Sequence, residues 1–166
     1  LIAGPSSSGK TTFTKRLDIQ LRVNGLTPLT LSLDNYFLDK SLTPPGDNGL
    51  PDFEALTALN LKRLNHDLSS LMSGQETAIP SYDFVKGVSC GETLCSPGKG
   101  PPILIEGIHG LNEELTADIP TSQKTKIFVS ALTQINIMSH MRVATSDVRL
   151  IRRILRDVQF RGHSPA

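Results

Sequence analysis

The run Gly4-Pro5-Ser6-Ser7-Ser8-Gly9-Lys10-Thr11 has the residue types and spacing of a loop that holds phosphate groups. Glycines at the first and sixth positions permit backbone angles that turn amide N–H groups inward around an anion. Lys10 then supplies a positive charge to terminal phosphates, and Thr11 offers a hydroxyl to Mg²⁺. A helix expected to start at Lys10 adds the positive end of its dipole. The whole reads as a P-loop for ATP or a close relative, with Ser6, Ser7, Ser8 and Thr12 as its further contacts.

Two acids could complete such a site. Asp34 follows the apolar run LTLSL, and Glu106 follows ILI and precedes a glycine. An acid at the carboxyl end of a strand in a parallel sheet faces the ligand crevice. From there Asp34 can take a proton from an attacking hydroxyl or hold a metal-bound water. A turn or cap aspartate is the alternative, since Asp-Asn suits turns. Glu106 is positioned as the second acidic group near Mg²⁺, along with Thr11 and Asp34. The third feature is RLIRRILRDVQFRG, in which Arg149, Arg152, Arg153 and Arg156 recur at spacings of three and four. Guanidinium groups suit bidentate phosphate contacts and stabilise charge on a phosphoryl group in transfer. A solvated basic face is the plainer reading.

These residues need elements to hold them. Leu1 to Ala3 reads as a strand entering the loop, and Lys10 to Val23 as a helix with Phe13, Leu17 and Leu21 on one stripe, closed by Asn24-Gly25. A strand at Leu29 to Leu33 and a turn-rich segment at 42–51 follow. Phe53 to Met72 shows helical spacing of Leu56, Leu59, Leu64, Leu68 and Leu71. Thr77 to Pro80 is a short strand candidate, and residues 81–101 an excursion from the main sheet, with hairpin character. Strands are expected at 103–105 and Lys126 to Leu132, and a helix at Ser146 to Phe160 with Leu150, Ile151, Ile154, Leu155 and Val158 as its apolar stripe. Alternating strands and helices predict an α/β fold with a parallel sheet covered on both faces.

Composition is consistent with this. Hydrophobic residues make up 38% and charged residues 20%, and 166 residues suit one domain. A net charge of +1 argues against a nucleic-acid or membrane surface as the main theme, although six arginines fall between Arg142 and His163. No apolar run approaches the roughly 20 residues of a membrane helix. Cys90 and Cys95, without a second Cys/His pair, read as reduced thiols, and a cytoplasmic setting is expected. The short first strand and the stop after the last helix read as cut ends, so fusion to further domains is expected; a homo-oligomer stays open.

Taken in order, GPSSSGKTTF, SLDNYF, IPSYDF, ILIEGIHGLN and RLIRRILRDVQFRG resemble the uridine kinase and phosphoribulokinase group, and especially a uridine-kinase-like branch found in longer multidomain proteins. The resemblance implies a P-loop three-layer sandwich with an arginine-rich lid helix, ATP and Mg²⁺ as cofactors, and a small-molecule hydroxyl as phosphate acceptor, a nucleoside first. It implies that Asp34 is the catalytic base, assisted by Lys10 and Arg153. Arg152, Arg153 and Arg156 face ATP phosphates, while Tyr36, Asp52, Tyr82, Phe84 and Arg149 lie on the acceptor side with Asp34. Uridine kinases carry a His and an Arg after the YDF motif; here Gly87 and Ser89 stand there, and RGR is RGH at His163. Alternatives are a kinase for a sugar phosphate or pantothenate-like acceptor, and a nucleotide-binding regulatory module without efficient transfer.

Overall fold

A computed structural model describes residues 1–47, 49–98, 100–131 and 143–161, and the backbone of 136–138 and 141–142. Four strands form a parallel sheet in the order β2-β5-β1-β6: β1 is Ile2–Ala3, β2 Leu29–Ser32, β5 Ile103–Gly107 and β6 Ile127–Phe128. The central pair β1 and β5 is apolar, as strands covered on both faces must be. Because the strands run in one direction, the ends of β1, β2 and β5 gather the phosphate loop, Asp34 and Glu106 at one edge.

Helix α1, Lys10–Val23, has the bounds expected from its spacing and packs on β1 and β5. It closes at Gly25, whose φ of 80° lies in the left-handed region that glycine enters at little cost. Its Thr14 is buried and returns its hydroxyl to the Lys10 carbonyl at 2.9 Å.

The expected helix from Phe53 is shorter. A 3-10 turn, Leu56–Ala58, comes first, and α2 spans Leu61–Met72. Leu59 is extended and bridges Phe37, and the Asn60 side chain accepts from Arg63 N at 3.1 Å, a strong N-cap. The period of three between Leu56 and Leu59 imitates a helical face while serving a turn. Leu64, Leu68 and Leu71 of α2 pack with Leu31, Leu33, Ile105 and Leu115 in the main core.

The hairpin is longer than expected. Strand β3 runs Thr77–Asp83 and pairs antiparallel with β4, Val88–Cys95, so the SYDF segment lies at its turn. Strand β6 is only two residues, although Val129 N still bonds the Ala3 carbonyl at 2.7 Å; Leu132 lies outside the described residues. Two short paired strands, β7 Asn136–Met138 and β8 Met141–Arg142, precede α3, Thr145–Phe160.

The helix at 146–160 forms as expected, as α3. The apolar stripe of α3 does not enter the core: Leu150 is 58% and Leu155 55% exposed, and no residue of the helix is buried. Its attachments are polar, through the arginines described below. No helix among the described residues is long and apolar enough to cross a membrane.

Candidate active site

The loop between β1 and α1 is built by two left-handed residues, Ser7 at φ 61° and Gly9 at φ 102°. Gly9 is the N-cap residue of α1. Gly4 does different work from the conformational role expected of it: a side-chain carbon there would collide with the Val129 carbonyl of the neighbouring strand. Its value is close approach. Ser8 N bonds the Pro5 carbonyl at 3.1 Å, and Lys10 Nζ reaches back to the same carbonyl at 3.2 Å. The hydroxyls of Ser7 and Ser8 are buried without partners, whereas Thr12 is exposed.

Thr11 donates to Glu106 Oε1 at 2.9 Å. Burial raises the Glu106 carboxyl above its ordinary range, and the nearby Asp34 charge adds to the rise; Thr11, Lys10 and the Ser32 hydroxyl oppose it. Ser32 thus touches both acids, since its hydroxyl also accepts from Asp34 N at 3.4 Å. Lys10 is lowered by burial first, with Glu106 and Asp34 pulling it back up and Arg156 and Arg149 pushing it down. Lys10, Thr11, Asp34 and Glu106 therefore form one electrostatic cluster. Thr11, Glu106 and Asp34 offer hard oxygen donors that fit Mg²⁺, an ion that keeps most of its shell for water and phosphate oxygens. Two mutually repelling carboxylates beside one hydroxyl are the observation behind that fit.

The arginines divide between the walls of this cluster. Arg156 donates to Ser6 Oγ at 2.9 Å and pairs with Asp157. Arg153 reaches Glu54 at 3.2 Å and Asp157 at 3.7 Å. Arg149 is close enough to bias Lys10, and its Nε is buried without a partner. Arg152 is exposed, with no side-chain partner among the described residues.

The acceptor-side candidates come together in part. Tyr82 and Phe84 meet edge to face with ring centroids 5.1 Å apart and share Phe37, and the Tyr82 hydroxyl is buried without a partner among the described residues. Asp52 accepts from Glu54 N at 2.9 Å and lies near enough to bias His109. Tyr36 departs from expectation. It is 1% exposed, and its hydroxyl donates to Asp67 of α2 at 3.2 Å, which turns the ring into the core rather than toward a ligand.

Arg161 is the main residue that sequence reading passed over. Its guanidinium reaches both Asp34 and the Phe84 ring. A cation at the C-terminus of a helix reads as an ordinary dipole partner, so only its step from Arg156 hinted at more. His109 bonds the Ala55 backbone, burial lowers its imidazole, and its Nε2 is buried without a hydrogen-bond partner among the described residues. At Gly87 and Ser89, where uridine kinases carry a His and an Arg, the Gly87 carbonyl accepts from Lys40 N at 2.8 Å, and Ser89 N donates to Asp39 at 2.8 Å. The open surface depressions around Glu113 and Lys124, and around Leu61 and Ser69, share no residue with this cluster.

The model of the phosphoribulokinase / uridine kinase family matches residues 1–166. The chain belongs to that family. This is a family of ATP-dependent small-molecule kinases. The chain is 32% identical over 165 residues to a uridine kinase of Deinococcus deserti, covering 99% of this chain and 70% of the relative. It is 30% identical to uridine-cytidine kinase C of Dictyostelium discoideum, covering 99% of this chain and 31% of that longer protein. Among solved structures, a putative fructose transport system kinase from Silicibacter sp. aligns with a TM-score of 0.70 and 19% identity over 99% of this chain and 73% of the other. That last likeness concerns the fold. Phosphoribulokinase / uridine kinase family membership accounts for the parallel sheet and the phosphate loop.

Proposed function

We propose that this chain transfers the γ-phosphoryl group of ATP to a hydroxyl of a small molecule, a nucleoside or another ribose-like compound. The observation that carries the reading is the span of one arginine series: Arg156 touches Ser6 of the phosphate loop, while Arg161 touches Asp34. A helix that reaches both donor and acceptor groups suits a lid over a phosphoryl in transfer.

Asp34 accepts the proton of the attacking hydroxyl as its oxygen bonds the γ-phosphorus and the bond to the β-phosphate oxygen breaks, leaving ADP. Lys10, Arg153 and Arg156 offset charge on the transferring group. Thr11, Glu106 and Asp34 would hold Mg²⁺, which supplies neutralisation of phosphate charge. On the acceptor side, Tyr82 and Phe84 offer aromatic faces, Asp52 and Arg149 polar contacts. The protein's contribution is placement and fixed charge rather than covalent chemistry.

A pyrimidine-specific reading has weaker support than ribose recognition. The backbone groups at Gly87 and Ser89 are already engaged by Lys40 and Asp39. The test is ATP consumption with a panel of nucleosides, sugars and sugar phosphates. Phosphorylation of a ribose-bearing acceptor is expected. ATP bound tightly with no acceptor turned over would leave a nucleotide-binding module instead.

A further inference from the structure

We propose that Tyr36, Asp67 and Arg63 form a positioning network that fixes Asp34 against the Tyr82–Phe84 wall; the proposal rests on the kinase reading above. Asp34 sits in a 3-10 turn, Leu33–Tyr36, and among the described residues its side chain's ion pair is with Arg161, at 3.6 Å. The turn is instead held by Tyr36. The Tyr36 carbonyl accepts from Asn60 N at 2.8 Å, and its hydroxyl donates to Asp67 Oδ2 at 3.2 Å. Both anchors lie on α2 or its cap, so the turn is fixed to a rigid helix at two points.

Asp67 is 1% exposed, and a buried carboxylate is retained only where donors surround it. Arg63 Nε donates to both of its oxygens at 2.9 Å, and His66 Nδ1 lies 3.2 Å from Oδ1. The other arm of Arg63 leaves α2 for the hairpin. Its Nη2 donates to the Ala78 carbonyl at 2.5 Å and to Glu92 Oε1 at 3.0 Å. Ala78 lies on β3, the strand that carries Tyr82, ends at Asp83 and leads to Phe84. The hairpin belongs to a separate sheet from β2, so no ladder of backbone hydrogen bonds fixes its distance from Asp34. Beside the packing of Phe37 on Tyr82 and Phe84, the Arg63 guanidinium reaches across that gap, with Nε on Asp67 and Nη2 on the hairpin. Because the planar guanidinium is held at Nε by Asp67 and at Nη2 by the Ala78 carbonyl, it sets both distance and orientation, which a single-point contact would not.

Tyr36 and Asp67 are positioning residues, because they act through Asp34 and touch no reactant. The test is a mutant cycle in the full chain: Tyr36→Phe, Asp34→Asn and both together. Readouts are kcat and KM for the best acceptor, the Kd of ATP and the thermal midpoint. Tyr36→Phe should lower kcat roughly ten- to a hundredfold, the scale of a displacement near 1 Å, while ATP affinity holds. In the Asp34→Asn background the same change should lower kcat no further, since the group it positions is gone. Arg63→Lys provides a second variant that keeps the charge and loses the planar group that holds Asp67 and the Ala78 carbonyl at once. If Tyr36→Phe melts the fold, Arg63→Lys must show the same dependence on Asp34. An unchanged kcat, or losses that multiply in the double variant, reduces the network to fold stability and overturns the assignment. A wild-type chain that binds ATP and turns over no acceptor overturns the kinase reading itself, and this assignment with it.

Discussion

The Nη2 atom of Arg161 lies 3.6 Å from Asp34 Oδ2, and the same guanidinium rests 4.3 Å above the centre of the Phe84 ring. One cation thus joins the candidate base to the aromatic wall beside it. Its side chain is only 25% exposed, so water weakens the attraction less than for a surface pair. The acid that Arg161 marks is the first place to test.

Asp34→Asn should cut turnover by about a thousandfold, within the usual range for losing a general base, while ATP binding persists. Steady-state rates with ATP titrations check both parts. Turnover near the wild-type value would remove Asp34 from the reaction.

The arginines of α3 should separate by their partners. Arg156 touches the phosphate loop, so Arg156→Ala should weaken ATP binding by roughly tenfold or more, the size of a charge-assisted hydrogen bond. Arg153 pairs with Glu54 and Asp157, away from the loop, so Arg153→Ala should lower kcat more than it raises either KM. Equal effects on both parameters from the two variants would reject the division.

Glu106→Gln should raise stability and lower turnover. The Glu106 carboxyl is held above its ordinary range by burial and by Asp34, so the folded state binds its proton more tightly than the unfolded state. Its contribution to stability is therefore full in acid, below the unfolded range, and is lost as pH rises through the raised value. The variant's gain in thermal midpoint should appear at neutral pH and shrink toward acid. Mg²⁺ with ATP should stabilise the wild type more than the variant, by linkage. A midpoint that falls at neutral pH would contradict the buried-charge account.

Gly4→Ala should cost about 1–3 kcal/mol, the range for overpacking a tight site, because the new methyl meets a carbonyl that cannot retreat without unpairing β6. Gly98→Ala is the control, since nothing lies within 4 Å of a carbon added there. Denaturant unfolding of both variants decides whether close approach, rather than backbone freedom, is what Gly4 provides.

The donor side was legible in the sequence because it is local. A strand, a glycine loop and a helix follow one another, and Thr11 meets Glu106 because each stands at the edge of the same parallel sheet. The acceptor side was less legible because it is assembled from four separate stretches. Nothing near Tyr36 announces Asp67, which lies a long way along the chain and on another helix. The LDNY segment places Tyr36 beside a candidate base, and only packing shows that its ring turns the other way. In α3 the periodicity was correct and its usual meaning was not. An apolar stripe normally finds a core, and this one stays in solvent while the polar face does the attaching.

That polar attachment determines how α3 responds to conditions. Among the described residues its ties to the body of the protein run through Arg156 and Ser6, Arg153 and Glu54, and by way of the following residue Arg161 to Asp34 and the Phe84 ring. Lifting the helix would uncover parts of Ile154 and Val158 and the Phe84 face under Arg161 but no buried side chain of its own, so the change in heat capacity should be small. The balance between docked and lifted helix would then shift little with temperature. Added salt should shift it readily, because exposed charges lose their reach over about 10 Å at 0.1 M ionic strength.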